Sequence, residues 1–456
     1  MAYNFLPCNR DQAYLLPPSL RDWLPEEDLA WFILDAVEQM DLSSLYARHR
    51  TDGWGAAAFE PGMMTALLLY AYCHGERSSR KIEWLCHRDI AFRVITANAR
   101  PDHSTVSRFR QANGPALEAL FVETLRLCAE AGLVKLGVVA LDGTKIEANA
   151  ALSANRAGEG LEAEVKKMLA EAEAADAAED ARYGKDRRGD ELPKELQGRK
   201  SRLARLKECK ERLAREAKEK ADAQARKMAE RQAEEAATGK KKRGRKPKTP
   251  DATVPDEAKA NVTDPESRPM KTAKGYVQGY NAQAAATAQQ IIVAADVTQE
   301  ANDVKQPQGM LAQAQANAAA VGIKETIGAG LMDAGYWSEA NAAALSGPDD
   351  PEMFIATTKD WKQRKALRES PPPRGRIPKH LSARERMERK LLTKRGRALY
   401  RLRSQTIEPI FGQIKAVRGC DRFMRRGHAA ARSEWRLICA THNLLKLFRS
   451  GKAEWN

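Results

Sequence analysis

Apolar residues recur every three and four positions in the first third of the chain. Leu29, Phe32, Ile33, Ala36 and Val37 form one stripe, and the run from Met63 to Tyr72 another. This is the spacing of helices that bury one face, so residues 26–132 read as helical. Ser78 or Ser79 can cap a helix reaching about Arg88, and a second covers roughly Ile90–Ala97. Asn98-Ala99-Arg100-Pro101 is a turn, and Asp102 caps a third helix from His103 to Arg110. A helix, a short turn and a helix rich in Ser, Thr and Arg is the pattern of a helix-turn-helix. Ser104, Thr105, Arg108 and Arg110 are then its candidate DNA-contacting side chains. An ordinary bundle with one polar face is the alternative.

The pattern next changes to strands. Residues 134–141 form the first, ending on Asp142-Gly143-Thr144-Lys145. Strand-like runs return at 275–287 and 290–298, followed by a helix at 304–320. A strand near 326–332 ends at Asp333-Ala334-Gly335-Tyr336. A helix at 338–345 and a strand at 353–358 follow. Residues 360–395 are rich in Pro and charge and read in part as loop. Helices at about 407–418 and 430–449 finish the chain. Residues 158–236 are dense in Ala, Glu, Lys and Arg, the composition of long solvent-exposed helices. A break from Gly184 to Pro193 predicts an antiparallel helical hairpin. Its apolar stripe of Leu203, Leu206 and Leu213 is too short for a long coiled coil.

Without that insertion the order is strand, strand, strand, helix, strand, helix, strand, helix. This is the element order of the ribonuclease-H-like fold. The expected architecture is an α/β ribonuclease-H-like core with an N-terminal all-α, helix-turn-helix-like domain and a helical-hairpin insertion. The boundaries are a helical DNA-binding domain over 1–132, a catalytic core over 133–155 and 260–449, and a charged insertion with a basic linker over 156–259.

Charge sharpens the picture. The formal net charge is +15, and it is uneven: 191–250 holds 21 basic against 10 acidic residues, and 381–450 holds 18 against 5. Two basic stretches on a slightly acidic body are the footprint of a polyanion binder. Lys240 to Pro247 reads as a flexible basic linker. Arg243-Gly244-Arg245 resembles the core of minor-groove AT-hook peptides, and contact with phosphates alone is the simpler reading. No run of 18 apolar residues exists, so no membrane span is expected. The N-terminus lacks the pattern of a secretory signal, and seven dispersed cysteines without a CxxC fit reduced thiols. Cys73-His74 and Cys86-His87 fit no common zinc spacing. A cytoplasmic protein is expected.

Asp142 ends the first strand of this scheme, Asp333 the fourth, and Glu408 lies near the start of a late helix. Three carboxylates converging at one sheet edge can hold two divalent metals. Hard oxygen ligands suit Mg²⁺ or Mn²⁺. Asp296, at the end of an apolar strand, is the most serious rival. Glu147 reads as a surface residue, Asp264 as a turn residue and Asp303 as a helix cap.

In these blocks the sequence resembles bacterial insertion-sequence transposases of the Asp-Asp-Glu type. The matching pieces are Pro61-Gly62-Met63, Gly75 to Ile82, Pro101 to Arg110, Leu141 to Lys145, Asp333 to Tyr336, Ile407 to Lys415, Trp435 and His442 to Leu445. One branch of that family carries a Tyr-Arg-Glu-Lys signature. Tyr400, Arg403, Glu408 and Lys415 match it, except that four residues rather than three separate Arg403 from Glu408.

The resemblance implies that Asp142, Asp333 and Glu408 are the catalytic and metal-binding residues, with two metal ions per site. It implies that Arg403 and Lys415 position phosphates and that Tyr400 stacks on an unpaired base. Its implied partners are double-stranded DNA, as transposon ends and target, and a second copy of the chain in a homodimer. The implied activity is cleavage of transposon ends and their joining to target DNA. A nuclease that hydrolyses without joining, or an inactive DNA-binding relic, are the alternatives. The sequence alone also suggests that Thr406 caps a helix whose first turn holds Glu408 and Pro409. Glu408 and Lys415, seven residues apart, would then share one face.

Overall fold

The computed structural model describes residues 19–49, 57–157, 194–241, 247–272, 275–345, 350–358, 369–378 and 380–453, with isolated positions between them. Among the described residues up to 130 the regular elements are helical, and after a 3-10 turn at Leu20–Trp23 the α-helices follow. They are α1 (Leu29–Glu38), α2 (Ser43–Tyr46), α3 (Pro61–Cys73), α4 (Ser79–Arg88), α5 (Ile90–Ile95), α6 (His103–Ala112) and α7 (Gly114–Glu130). The starts follow local chemistry. Asp28 and Asp89 accept the first amides of α1 and α5, and Asp102 accepts Thr105 N at 2.6 Å ahead of α6. Arg93 bends back to Asn98, and both Ala97 and Asn98 have positive φ, so the helix ends at Ile95 and the turn begins one residue before the Asn98 that the sequence marks.

Strand β1 (Val138–Glu147) opens the sheet. A short ribbon of β2 (Asn155–Ala157) and β3 (Lys259–Asn261) closes the base of the insertion, whose long helix is α8 (Lys194–Thr238). The first arm of the expected hairpin falls largely outside the described residues. Leu206, Cys209 and Leu213 of α8 pack on Leu161 and Ala260 in a small core of their own. The buried Arg212 donates to Pro265 O at 2.7 Å and Lys259 O at 2.8 Å, which ties α8 to the chain re-entering the sheet.

The chain continues through β4 (Arg268–Thr272), β5 (Gly275–Thr287), β6 (Ile292–Thr298), α9 (Pro307–Ala320), β7 (Ala329–Met332), α10 (Glu339–Ala344) and β8 (Glu352–Ile355). β5 is flanked on one side by β4 and β6 and on the other by β1, all antiparallel. β1, β7 and β8 then run parallel. With β4 as an added edge strand, the antiparallel β1, β5 and β6 followed by two strands parallel to β1 make the mixed sheet of a ribonuclease-H-like fold.

Two departures from the sequence reading matter. β1 does not stop at residue 141: it runs to Glu147, so Asp142 lies in mid-strand. The long β5 pairs with it throughout, from Val139 opposite Thr287 to Glu147 opposite Gly279. An Asp-Gly pair marks a turn only where no neighbour strand pairs across it. The stretch over 360–395 read as partly loop holds a helix, α11 (Ala383–Leu392), and a second, α12 (Lys394–Thr406), fills the interval before 407 to which no element was assigned. Ser382 and Glu385 form a reciprocal cap at the first, and Thr393 Oγ1 accepts Gly396 N at 2.9 Å at the second.

The chain ends with α13 (Glu408–Gly412), a π turn over Gln413–Val417, and α14 (His428–Ser450). α14 is the mast of the molecule. Trp435, fully buried, donates from Nε1 to Gln283 O at 2.9 Å. Asn443 clasps both backbone groups of Ile292 at 2.8 Å, satisfying the outer edge of β6. On its other side α14 packs along α7 and α3. One continuous hydrophobic core therefore runs from the N-terminal helices into the sheet. The buried pair of Arg77 and Glu434, 3.2 Å apart, crosses that junction.

Candidate active site

β1 carries the centre of the site. Side chains alternate along a strand, so Asp142 and Thr144 share one face while Gly143 and Lys145 share the other. On the first face Arg403, near the end of α12, reaches Asp142 Oδ2 from Nη2 at 2.7 Å. Its Nη1 donates to Glu408 Oε1 at 3.1 Å. The Asp142 and Arg403 side chains are largely buried, at 16% and 13% exposure, whereas Glu408 is 56% exposed. Glu408 is the first residue of α13, and the helix break that projects it comes from Pro409, which has no N–H to continue α12. Ile407, not Thr406, occupies the cap position. Thr406 is buried as the last residue of α12.

The π turn changes the expected relation of Glu408 and Lys415. Instead of lining up along one helical face, Lys415 is carried round to β1. Its Nζ donates to Thr144 Oγ1 at 3.2 Å and Lys145 O at 2.9 Å. The wider turn, with hydrogen bonds closing over five residues, breaks the seven-residue register. Among the described residues these two acceptors leave one of the three ammonium protons uncommitted.

Asp333 directly follows β7. Because Leu141 pairs with Met332, Asp333 stands beside Asp142 across the parallel pair. Its Oδ1 accepts Gly335 N at 2.7 Å. Burial pushes the Asp142 carboxyl up to about 7, opposed by Arg403 and reinforced by Asp333 and Asp303. The folded state thus holds the Asp142 proton more tightly than the unfolded chain does. The associated stability is complete below about pH 4 and is lost as pH rises through about 7. Asp142→Asn removes that loss. In a chelator-containing buffer its melting temperature should exceed the wild-type value by a margin that widens over this range, at about 1.4 kcal/mol per pH unit. A margin independent of pH would show that Asp142 is ionised throughout.

The other face of β1 holds a cluster the sequence reading missed. The backbone of Asp303 turns towards α9, but its cap is Gln306, and the Asp303 carboxylate faces the sheet. Asp303 Oδ1 accepts Asn281 Nδ2 at 2.7 Å and Gln283 Nε2 at 2.8 Å, with Lys145 Nζ 3.7 Å away. Tyr336 Oη donates to Gln283 Oε1 at 2.5 Å. A side chain on Gly335 would begin 2.9 Å from Asp333 Oδ1 and 3.2 Å from Asp303 Oδ2, so both carboxylates flank that point. The signal in the sequence was Asn281 and Gln283, two polar residues at alternate positions of an otherwise small and apolar strand.

The remaining rivals are placed elsewhere. Asp296 on β6 accepts its neighbour Val297 N at 2.9 Å, Asp264 is buried against Tyr280 Oη, and Glu147 pairs with Arg422 at 2.6 Å. Among the described residues no three acidic, His or Cys side chains stand close enough to form a ligand set as they lie. The guanidinium of Arg403 spanning Asp142 and Glu408 shows that this pair accepts a cation between them. The hard oxygen donors fit a divalent metal such as magnesium. Beside Glu408 a cleft of about 380 Å³ opens between the end of β8 and α11–α12, with Tyr400 and Arg401 on its wall.

The N-terminal candidates divide. Arg108 is exposed on α6, and Ser104, half-buried, donates to Asp102 at 2.7 Å. Thr105 is half-buried beside it. Arg110 is not a surface residue: it is 6% exposed and donates to Arg77 O at 2.7 Å, to Tyr72 Oη and to Ser79 Oγ. Position 110 falls on the inward side of α6, where an arginine is held by the preceding helices. Arg243 and Arg245 lie outside the described residues.

Two family models match the chain. A transposase domain of the DUF772 group covers residues 18–112, and a transposase DDE domain covers residues 368–448. No curated protein and no solved structure matches. The first match spans the N-terminal helices as far as α6. The second includes Glu408 and Arg403 but neither aspartate. With a ribonuclease-H-like mixed sheet between them, the two domain matches, which together cover less than half of the chain, indicate an insertion-sequence transposase of the Asp-Asp-Glu type, a class of metal-dependent enzyme that cleaves DNA and transfers its strands.

Proposed function

We propose that Asp142, Asp333 and Glu408 are the catalytic carboxylates and bind two Mg²⁺ or Mn²⁺ ions. The observation that carries this reading is the junction of β1, β7 and α13, where Asp142 stands beside Asp333 and is bridged to Glu408 through Arg403. Bound metal would supply Lewis-acid stabilisation of the attacking and leaving oxygens at the scissile phosphate. The chain's own residues then have distinct tasks. Arg403 is positioned to pass from the carboxylates to a phosphate oxygen, which a guanidinium can bind bidentately. Lys415 steadies the β1 backbone and keeps one N–H for phosphate. Tyr400, on the wall of the cleft beside Glu408, offers a ring for an unpaired base.

The helices over 1–132 form the DNA-binding part in this reading, with Ser104, Thr105 and Arg108 on the DNA side of a helix-turn-helix-like unit. The core spans 133–155 and 260–449. The segment 156–259 is an accessory whose Arg243 and Arg245 contact the backbone. A homodimer acting in the cytoplasm would bring two transposon ends and a target duplex together.

The test is incubation of the protein with duplex DNA carrying the element's ends and a target plasmid, with products read at nucleotide resolution. Nicks at the ends and joined products are expected with Mg²⁺ or Mn²⁺, and none with a chelator. Hydrolysis without any joined product would favour a nuclease on the same fold.

A further inference from the structure

Away from the carboxylates a trough of about 850 Å³ runs between the N-terminal helices and the catalytic part of the chain. Arg80, Ser107 and Gln111, from α4 and α6, line one wall. Asn149, just beyond β1, and Arg425 and Arg426, before α14, line the other. Among the described residues lining it there is no carboxylate.

Arg425 makes the trough more than a charged surface. It is half-buried, and among the described residues its guanidinium has neither a hydrogen bond nor an ion pair. The two acids that act on it are already committed, Glu434 to Arg77 and to the backbone N–H groups of Met424 and Arg425, and Glu118 to Arg432 and Arg436. Burial pulls the Arg425 pKa below its ordinary value, the sign of a cation short of compensation. Beneath it Arg77 and Arg110, 7% and 6% exposed, each keep an Nε without a partner. A desolvated cation without a protein partner is costly unless an anion from outside completes it.

We propose that this trough holds the sugar–phosphate backbone of the duplex being cut, with Arg425 and Arg426 on its phosphates. The proposal rests on the reading of the N-terminal helices as the DNA-binding part, and it adds a second wall from the catalytic part. It also sets a distance. Asn149 lies seven residues beyond Asp142 and two past the end of β1, at most about 23 Å away at the extended rise per residue. At 3.4 Å per base pair this places the contact within about seven base pairs of the scissile phosphate. One duplex can therefore reach both places, and Arg426 is fixed at that spot by donating from Nε to Asn149 O at 3.0 Å.

The experiment measures affinity for a short duplex of mixed sequence across a salt series, for the full chain and for three variants: Arg425→Gln with Arg426→Gln, Arg425→Lys with Arg426→Lys, and Arg108→Gln. The Gln pair should lower the log–log salt slope by about 1.8, one step of about 0.9 for each lost phosphate contact, and weaken binding at least tenfold at low salt. The Lys pair should restore the slope, which a loss of folding would not allow. An unchanged slope in the Gln pair, with a lowered slope in Arg108→Gln, would overturn the trough and leave the helices as the DNA-binding part. Absence of duplex binding by the wild type would overturn both.

Discussion

Asp142→Asn, Asp333→Asn and Glu408→Gln are each expected to abolish DNA cleavage while leaving DNA binding unchanged or stronger. Each substitution removes a metal-directed negative charge and keeps the shape of the side chain. The loss should be at least about a hundredfold, since a single preorganised group at a charged transition state contributes that much or more. Binding should not weaken, because one less carboxylate faces the phosphates. Asp296→Asn is the control. Asp296 pairs across from Gln283 on the far side of β5, a full strand away from β1, so this variant should retain cleavage. Cleavage assays beside binding titrations separate the outcomes. An inactive, folded Asp296→Asn with an active Asp333→Asn would move the second ligand to β6.

Gly143→Ala should damage both stability and cleavage, although it adds one methyl group. A Cβ there would lie 2.2 Å from Gln283 Nε2, 2.7 Å from Asp303 Oδ1 and 2.9 Å from Asn281 Oδ1. None of these can yield alone. Gln283 is held at both ends, by Asp303 and by Tyr336 Oη, and Asn281 also donates to Glu300 O at 3.1 Å. Overpacking of this kind costs about 1–3 kcal/mol. It would also shift β1 next to Asp142, where small displacements have large kinetic effects. Gly412→Ala is the comparison: nothing lies within 4 Å of its Cβ position, and Ala favours a helix. A melting temperature and a cleavage rate for each variant decide the matter. Equal behaviour of the two variants would mean that the Asn281, Gln283 and Asp303 cluster adapts freely.

The elements legible in the sequence were those whose signals are local. Asp102 announces α6 through the amide it accepts, and the strand-like runs announce β5, β6, β7 and β8. Their order was enough to suggest the mixed sheet. Residues 383–406 were less legible, because their charged composition hides two capped helices whose apolar contacts come from the end of the sheet and α13.

What the chain alone determined was therefore the order of the main core elements, the basic stretches and the three acidic positions that the family blocks single out. The tertiary structure decided where β1 ends, because strand length depends on what pairs with it and not on its own turn signals. It also decided the partners of the charges. Arg110 became an internal strut, Lys415 was turned onto β1 by a π turn, and Asp303 left its expected cap to join Asn281, Gln283 and Lys145. A side chain's direction is fixed by register between strands and by helix geometry over distances far longer than any local motif. Charges far apart in sequence meet only when that register is set.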